Sequence, residues 1–284
     1  MKITGGVVLL TGANGGIGVA ITHQLADKGA SLILTGRDTR QLQKLANELR
    51  PTGSGVQIIA SDLGEPGMPQ RLVESALKKA ARIDIVINCA GVQNFGFLAD
   101  ESPGDTARLF HTNTIAPIAL VNAVLPHMLR NRAGHLVNVG SIFGSIGFPC
   151  FATYSASKFA LRGFSEALRR ELNGTGIAVT CVAPRFTKTS MNGSAVTRMA
   201  QALGMNQDDP ADVAASVIAE IECDGKERYL GWPEKLFVRL NALFPPPRRP
   251  VADETGRRHA FICQPAARVT LPLSKVCHAP HLYL

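Results

Sequence analysis

Tyr154 and Lys158 stand four residues apart in the stretch SIFGSIGFPCFATYSASK (141–158). On a helix that spacing puts both side chains on one face, where they flank one bound molecule. A tyrosine with a pKa near 10 is a poor acid–base group at neutral pH and needs a neighbouring cation. One lysine charge at ~4 Å and an effective dielectric of ~20 is worth about 4 kcal/mol, roughly three pKa units as an upper estimate. Ser141 opens the same stretch at the end of an apolar run and offers a second hydroxyl to an oxygen held by Tyr154. The chemistry on offer is proton exchange with an oxygen atom. Taken alone, a Tyr and a Lys at this spacing also fit an ordinary exposed helix face.

A second constellation lies near the start. The apolar run 7–10 leads directly into TGANGGIG (11–18), and a helical pattern follows. Thr11, Gly12, Asn14, Gly16, Ile17 and Gly18 fall in this turn. Glycines there let the backbone turn tightly and let a pyrophosphate approach the N–H groups at the helix N-terminus. The next apolar run ends in TGRD (35–38), with Gly36 where dinucleotide-binding domains often carry an acid for the ribose hydroxyls, and Arg37 beside it. An arginine fork suits a 2′-phosphate, so NADP(H) is expected over NAD(H). A solvated arginine at a helix start is the bland alternative.

These motifs need a frame. Short apolar runs at 7–11, 31–35, 56–61, 83–88, 135–140, 177–183 and 228–230 read as strands. Amphipathic stretches at 17–28, 39–49, 68–81, 105–129, 154–173 and 211–222 read as helices between them, with Asp38 before the second and Gly29 after the first as boundary signals. Strand and helix in alternation predict an α/β fold, a single-domain, doubly wound, Rossmann-like parallel sheet with helices on both faces. Both constellations then sit at the carboxyl edge of the sheet, where ligands bind. Residues 187–209 read as an irregular Thr/Ser/Gly/Met segment, placed where such folds carry a lid.

Together with the turn NCAG (88–91), these motifs resemble the classical short-chain dehydrogenase/reductase family over about residues 5–231. The resemblance implies roles residue by residue. The glycine motif matches Thr11, Gly12, Gly16 and Gly18; Asp62, followed by Leu63, matches the acid near the adenine; Asn88, Ala90 and Gly91 match the family's turn. The catalytic set falls on Asn113, Ser141, Tyr154 and Lys158, with Asn113 positioning a water that relays protons, and Lys158 lowering the tyrosine pKa and holding the ribose hydroxyls. Thr187, shortly after Pro184, matches the threonine beside the nicotinamide carboxamide. The implied reaction is hydride transfer between NADP(H) and a carbonyl or alcohol. The four-residue Tyr–Lys spacing sets it apart from enoyl reductases of similar fold. A homodimer or homotetramer is implied as well.

Two positions depart from the family. Cys89 replaces the usual second asparagine of the turn, and Arg185 stands where Pro-Gly is common. Arg185 either meets an anionic group of the substrate or points outward and pairs with acids. Phe143, Phe148, Phe151 and Phe186, with Met191 and Met199, suit an apolar substrate and equally suit an ordinary core. A non-catalytic NADP-binding regulator or scaffold is the alternative function, against which the retained tyrosine and lysine count.

Composition bounds the rest. The 284 residues carry 30 Lys+Arg and 22 Asp+Glu. Half of the resulting +8 excess lies in 245–284, a Pro/Arg-rich tail with no helical or strand period, read as disordered. Basic residues elsewhere are scattered, so no nucleic-acid partner is expected. The tail residues His259, Cys263, Cys277, His278 and His281 match no zinc spacing, and no metal is expected. Residues 1–231 form the expected domain. Residues 232–244 form an amphipathic extension that packs on the protein or lies on a lipid surface. No run of about 18 uninterrupted apolar residues marks a membrane span, and six scattered cysteines without a C-x-x-C pair suit a cytoplasmic setting.

Overall fold

The computed structural model describes residues 2–243. The tail 245–284, with its histidines and cysteines, and Phe244 of the extension lie outside the described residues. Seven strands, β1 (Val7–Thr11), β2 (Ser31–Gly36), β3 (Val56–Ala60), β4 (Ile85–Asn88), β5 (Gly134–Val139), β6 (Ile177–Ala183) and β7 (Glu227–Tyr229), form one parallel sheet. Its order is β3-β2-β1-β4-β5-β6-β7. The strands pair in register so that Thr11 lies between Thr35 and Asn88, and Asn88 pairs with Asn138. This line of polar residues marks the carboxyl edge, reached just after the apolar stretch of each strand.

Helices cover both faces: α1 (Gly16–Asp27), α2 (Thr39–Leu49), α3 (Met68–Ala80), α4 (Pro103–Phe110), α5 (Ala116–Asn131), α6 (Ala152–Glu171), α7 (Ser194–Ala202), α8 (Pro210–Glu222) and α9 (Glu234–Leu243). The period-two alternation of a strand sends Val8 and Leu10 into a core with Leu25 of α1, Leu42 of α2 and Val217 of α8. Val7 and Leu9 enter the opposite core with Leu72 of α3, Val124 of α5 and Leu168 of α6. Both faces of β1 are covered, which is why VVLLT is apolar almost throughout.

Two expectations needed revision. The helix predicted over 105–129 begins at Pro103, capped by Ser102, and is broken by a π turn at His111–Ile115, where the Ala116 N–H reaches back to the His111 carbonyl. The segment Pro103–Asn131 has the length and mean hydropathy, 1.2, of a spanning helix. Leu120, Val121, Val124 and Met128 nevertheless pack in the sheet's core, so its apolar face is an interior face. The irregular segment 187–209 contains α7, which its Ser, Thr and Val content disguises; Val196, Met199 and Ala200 hold it by packing against an aromatic cluster. The extension forms α9 and docks on its own domain through buried Val238 and an Asn241 side chain that donates to the Ser145 carbonyl at 3.4 Å. Trp232, Leu236 and Leu243 stay exposed.

One buried titratable group sits far from the carboxyl edge. His135, fully buried in β5, shares a 2.8 Å hydrogen bond with Thr180, and Asp224 lies 3.5 Å from its other ring nitrogen. Burial pushes its pKa down to about 4, against the opposing charge of Asp224. The unfolded histidine takes up its proton near 6.5 and the folded one does not, so stability is lost as pH falls through this window. The loss is expected to reach about 3 kcal/mol by pH 4. Chemical denaturation of His135→Gln between pH 7 and 4 should show a flatter dependence than wild type; parallel curves would remove His135 from the account.

Candidate active site

At the carboxyl edge the strand ends and the loops after them enclose a cleft of about 850 Å³. The turn after β1 forms one end. Gly12 has a φ of +66°, and a Cβ there would stand 2.7 Å from Ala90 Cα and 2.8 Å from Ala90 N. The Thr11 hydroxyl braces this contact from behind, accepting the N–H groups of Cys89 and Ala90 at 3.1 Å each. Gly15 caps α1 without a side-chain hydrogen bond, and no acid occupies the first turn. The N–H groups of that turn, with the positive end of the helix dipole, therefore face the cleft unmasked, which suits an anionic pyrophosphate.

The end of the cleft expected to take the adenosine is lined by Asn14, Gly36, Arg37, Asp62 and Leu63. A Cβ on Gly36 would meet Asn14 Oδ1 at 2.5 Å, so any side chain there would have to displace the Asn14 amide. Asp38 is spent on capping α2, accepting the N–H groups of Arg40 and Gln41 at 2.9 and 3.1 Å. Arg37 is exposed on the cleft rim.

The chemical end is built on β5 and α6. Ser141 follows β5, accepts the Phe143 N–H at 3.2 Å, and hydrogen-bonds Tyr154 on α6. Tyr154 is half-buried and opens into the cleft. Burial around its hydroxyl raises its pKa above the ordinary 10, and only the Ser141 hydrogen bond pulls the other way. Lys158 is 5% exposed and stands behind the cleft wall, with Nζ 5.8 Å from the Tyr154 ring centroid and donating to the Val139 carbonyl at 3.0 Å. Burial lowers the lysine to about 8, while Cys89 and Cys181 act to raise it. The expected cation-assisted drop of the tyrosine pKa is thus absent in the protein alone. The ammonium lies at the ring and a backbone carbonyl, and desolvation dominates.

Thr11, Asn88, Asn113 and Lys158 are buried behind the wall, whereas Gly12, Asn14, Gly16, Ile17, Gly18, Arg37, Asp62, Leu63, Ala90, Gly91, Ser141, Tyr154, Pro184 and Thr187 line it. Asn88 donates to Asn138 at 2.8 Å, and Asn138 to Ser165 at 2.8 Å, tying β4 to β5 and α6. Asn113, in the π turn, accepts the Val92 N–H at 2.9 Å and donates to the Val92 carbonyl at 2.8 Å and to Ser157 at 3.1 Å. Its side chain is a brace. Pro117 has no N–H to offer the Asn113 carbonyl four residues back, which leaves that oxygen without its α-helical donor.

Sequence reading missed three members. Thr189 packs over Gly16, whose Cβ would meet Thr189 Cγ2 at 2.8 Å. Gln93 latches the loop after β4 to the lid, donating to the Met191 carbonyl at 2.8 Å and to Asn192 at 3.1 Å. Glu101 accepts from Asn94 and Thr106 at 2.8 Å each and from Thr153, next to Tyr154, at 2.7 Å. A short Thr/Ser run marks the first; the other two join residues too far apart in sequence to show a pattern. Phe143, Phe148, Phe151 and Phe186 gather with Phe95, Met199 and Met205 into one apolar cluster around Tyr154. Cys89 is a desolvated thiol, pushed up to about 12 by burial. Arg185 pairs with acids, as one of its two readings anticipated: its guanidinium meets Asp208 at 2.8 Å and Glu234 at 3.0 Å.

The family model for short chain dehydrogenase matches residues 6–200. Dehydrogenase/reductase SDR family member 7B of Bos taurus is 33% identical over 252 residues, 84% of this chain and 78% of its own length. Ketoacyl reductase HetN of Nostoc sp. is 33% identical over 221 residues, 78% of this chain and 76% of its own. Among solved structures, a short chain dehydrogenase/reductase from Burkholderia phymatum in complex with NAD aligns with a TM-score of 0.80 at 25% identity, covering 89% of this chain and 99% of that one. A short-chain dehydrogenase from Sphingobium yanoikuyae in complex with NADPH aligns at 0.73 and 27%, covering 93% and 98%. With the parallel sheet, the glycine cradle and the Ser141–Tyr154–Lys158 group at its carboxyl edge, the chain belongs to the short-chain dehydrogenase/reductase family of nucleotide-binding oxidoreductases.

Proposed function

We propose that this protein uses NADP(H) to interconvert a carbonyl and an alcohol on a small apolar substrate. The observation that carries the reading is that Ser141 and Tyr154 open onto the same cleft as the unmasked N-terminus of α1. Bound NADP(H) supplies the hydride. The N–H groups at the start of α1 would hold the pyrophosphate, and Thr187 and Pro184, which line the cleft, would bind the nicotinamide end. Ser141 donates to the substrate oxygen, and Tyr154 passes that oxygen its phenolic proton as negative charge develops there. Lys158 supplies positive charge from behind Tyr154 and, once the cofactor is bound, would be the cation to hold the ribose hydroxyls. Asn113, in the π turn behind the wall, would position a relaying water. The Phe143–Phe148 stack, with centroids 4.8 Å apart, and the Met199 and Met205 side chains favour an apolar substituent on the carbonyl. Exposed Ile115 and Phe159, on the π turn and α6, suit assembly with a second copy.

Support for NADP(H) over NAD(H) rests on Gly36 standing where an acid would reach the ribose, and on exposed Arg37 at the rim beside it. Arg37→Gln is expected to weaken NADPH binding by about 10- to 100-fold, the worth of one charge-assisted contact. NADH binding should change by no more than about two-fold, since the two cofactors differ only in that phosphate. Fluorescence titration with both cofactors measures this. Equal losses for both, or wild-type affinities that favour NADH, overturn the NADP(H) assignment.

A further inference from the structure

The segment between β6 and α8 leaves the sheet and returns to the place it left. Thr187 and Asp208 form an isolated parallel bridge; the Asp208 N–H donates to the Phe186 carbonyl at 2.8 Å, and the Lys188 N–H to the Asp208 carbonyl at 3.0 Å. Everything between, including α7 with Val196 and Met199 of the apolar wall, hangs from this closed base. Arg185 sits directly beneath it. Nε donates to Asp208 at 2.9 Å, the second terminal nitrogen lies 2.8 Å from the same oxygen, and Nη1 reaches both Glu234 oxygens at 3.2 and 3.0 Å. The three side chains are 15 to 21% exposed. The arginine is packed as well as paired: Gly231, at a φ of +87°, leaves room only for a hydrogen, because a Cβ there would stand 2.5 Å from Arg185 Cδ.

All three guanidinium nitrogens are therefore engaged, leaving none dedicated to an anionic substrate group. A planar fork held by two acids from different segments fixes those segments relative to each other. Asp208 ends the substrate loop and Glu234 begins α9, so one side chain ties the sheet edge, the loop base and the terminal helix together.

We propose that Arg185 is a specificity-determining positioning residue, clamping the base of loop 187–208 to α9 so that the apolar wall carried on α7 is held at a fixed distance from Tyr154. The ends of the loop then stay docked. A long apolar substituent feels the position of that wall; a short one does not reach it. The substrate half of this inference rests on the carbonyl-reducing reading, and the loop half stands without it.

The test compares wild type with Arg185→Met, Arg185→Lys and Glu234→Gln by two independent readouts. Hydrogen exchange on the cofactor-free proteins should show faster exchange across 194–209 in Arg185→Met, with β1 to β5 unchanged. Steady-state reduction of straight-chain methyl ketones from butanone to undecanone with NADPH should show KM rising about ten-fold for undecanone and less than about two-fold for butanone in Arg185→Met. NADPH affinity should hold. Arg185→Lys, which reaches one acid at a time, and Glu234→Gln, which frees α9 while sparing the Asp208 arm, should fall between. The clamp is overturned by unchanged exchange across 194–209, or by a KM increase independent of chain length. Should Arg185→Met not fold, Glu234→Gln decides by the same two readouts. If wild type reduces none of the ketones, the proposed function fails, while the exchange experiment still decides the clamp.

Discussion

Tyr154→Phe is expected to lower kcat for ketone reduction by about a thousand-fold while NADPH affinity stays within about two-fold. The substitution removes one hydroxyl. The ring keeps its edge contacts with Phe143 and Phe151, with centroids 6.4 and 6.0 Å away. Lys158 keeps the Val139 carbonyl, and Ser141 keeps the Phe143 N–H. In the wall only Ser141 loses a contact with the phenol, so the melting temperature should move little. A variant with wild-type turnover rejects Tyr154 as the proton donor. The pH dependence follows from the same environment. Because burial raises the tyrosine pKa, its acid form persists through neutrality, and reduction should be flat there. Lys158, lowered to about 8, sheds its positive charge above that pH, so reduction should decline on the alkaline side.

Gly12→Ala is expected to cost both cofactor and fold. The native φ of +66° disfavours any side chain, and the new Cβ would strike backbone at Ala90, which cannot swing away as a side-chain tip can. A loss of about 2 to 4 kcal/mol in unfolding free energy and at least about 100-fold in NADPH affinity should follow. Gly16→Ala separates the two effects. Its Cβ meets only Thr189, and Thr189→Ala should partly restore binding in the double variant. Calorimetric titration alongside denaturant melts measures both quantities. Full NADPH affinity in Gly12→Ala would show that the turn does not cradle the cofactor.

Most of the frame was legible because its signals are local. VVLLT is apolar on both faces since helices cover both, and TGANGGIG follows it without a gap, so strand, turn and helix N-terminus could be placed by counting. The elements misread are those whose conformation is imposed from outside. SAVTRMAQA contains good helix formers but is short and set in a run of Thr, Ser, Asn and Gly that hides them, and Val196, Met199 and Ala200 fix it as α7 by packing on the phenylalanine cluster. The helix over 105–129 has the right period, but periodicity is blind to one extra residue in a turn, which is what the π segment around Asn113 supplies.

The sequence by itself determined which chemical groups this protein owns and their order along the chain: a glycine turn between strand and helix, and a tyrosine four residues before a lysine. Those are spacings of a few residues, which local backbone geometry fixes. Only the tertiary structure decided which of these groups face the cleft and which brace it. Lys158 and Asn113 went behind the wall, the lysine on the Val139 carbonyl and the asparagine on Val92 and Ser157. Arg185 found Asp208, 23 residues on, and Glu234, 49 residues on. A charged side chain's role depends on what neutralises it and how far it is desolvated. Those partners arrive through the fold of the chain, at separations no local pattern records.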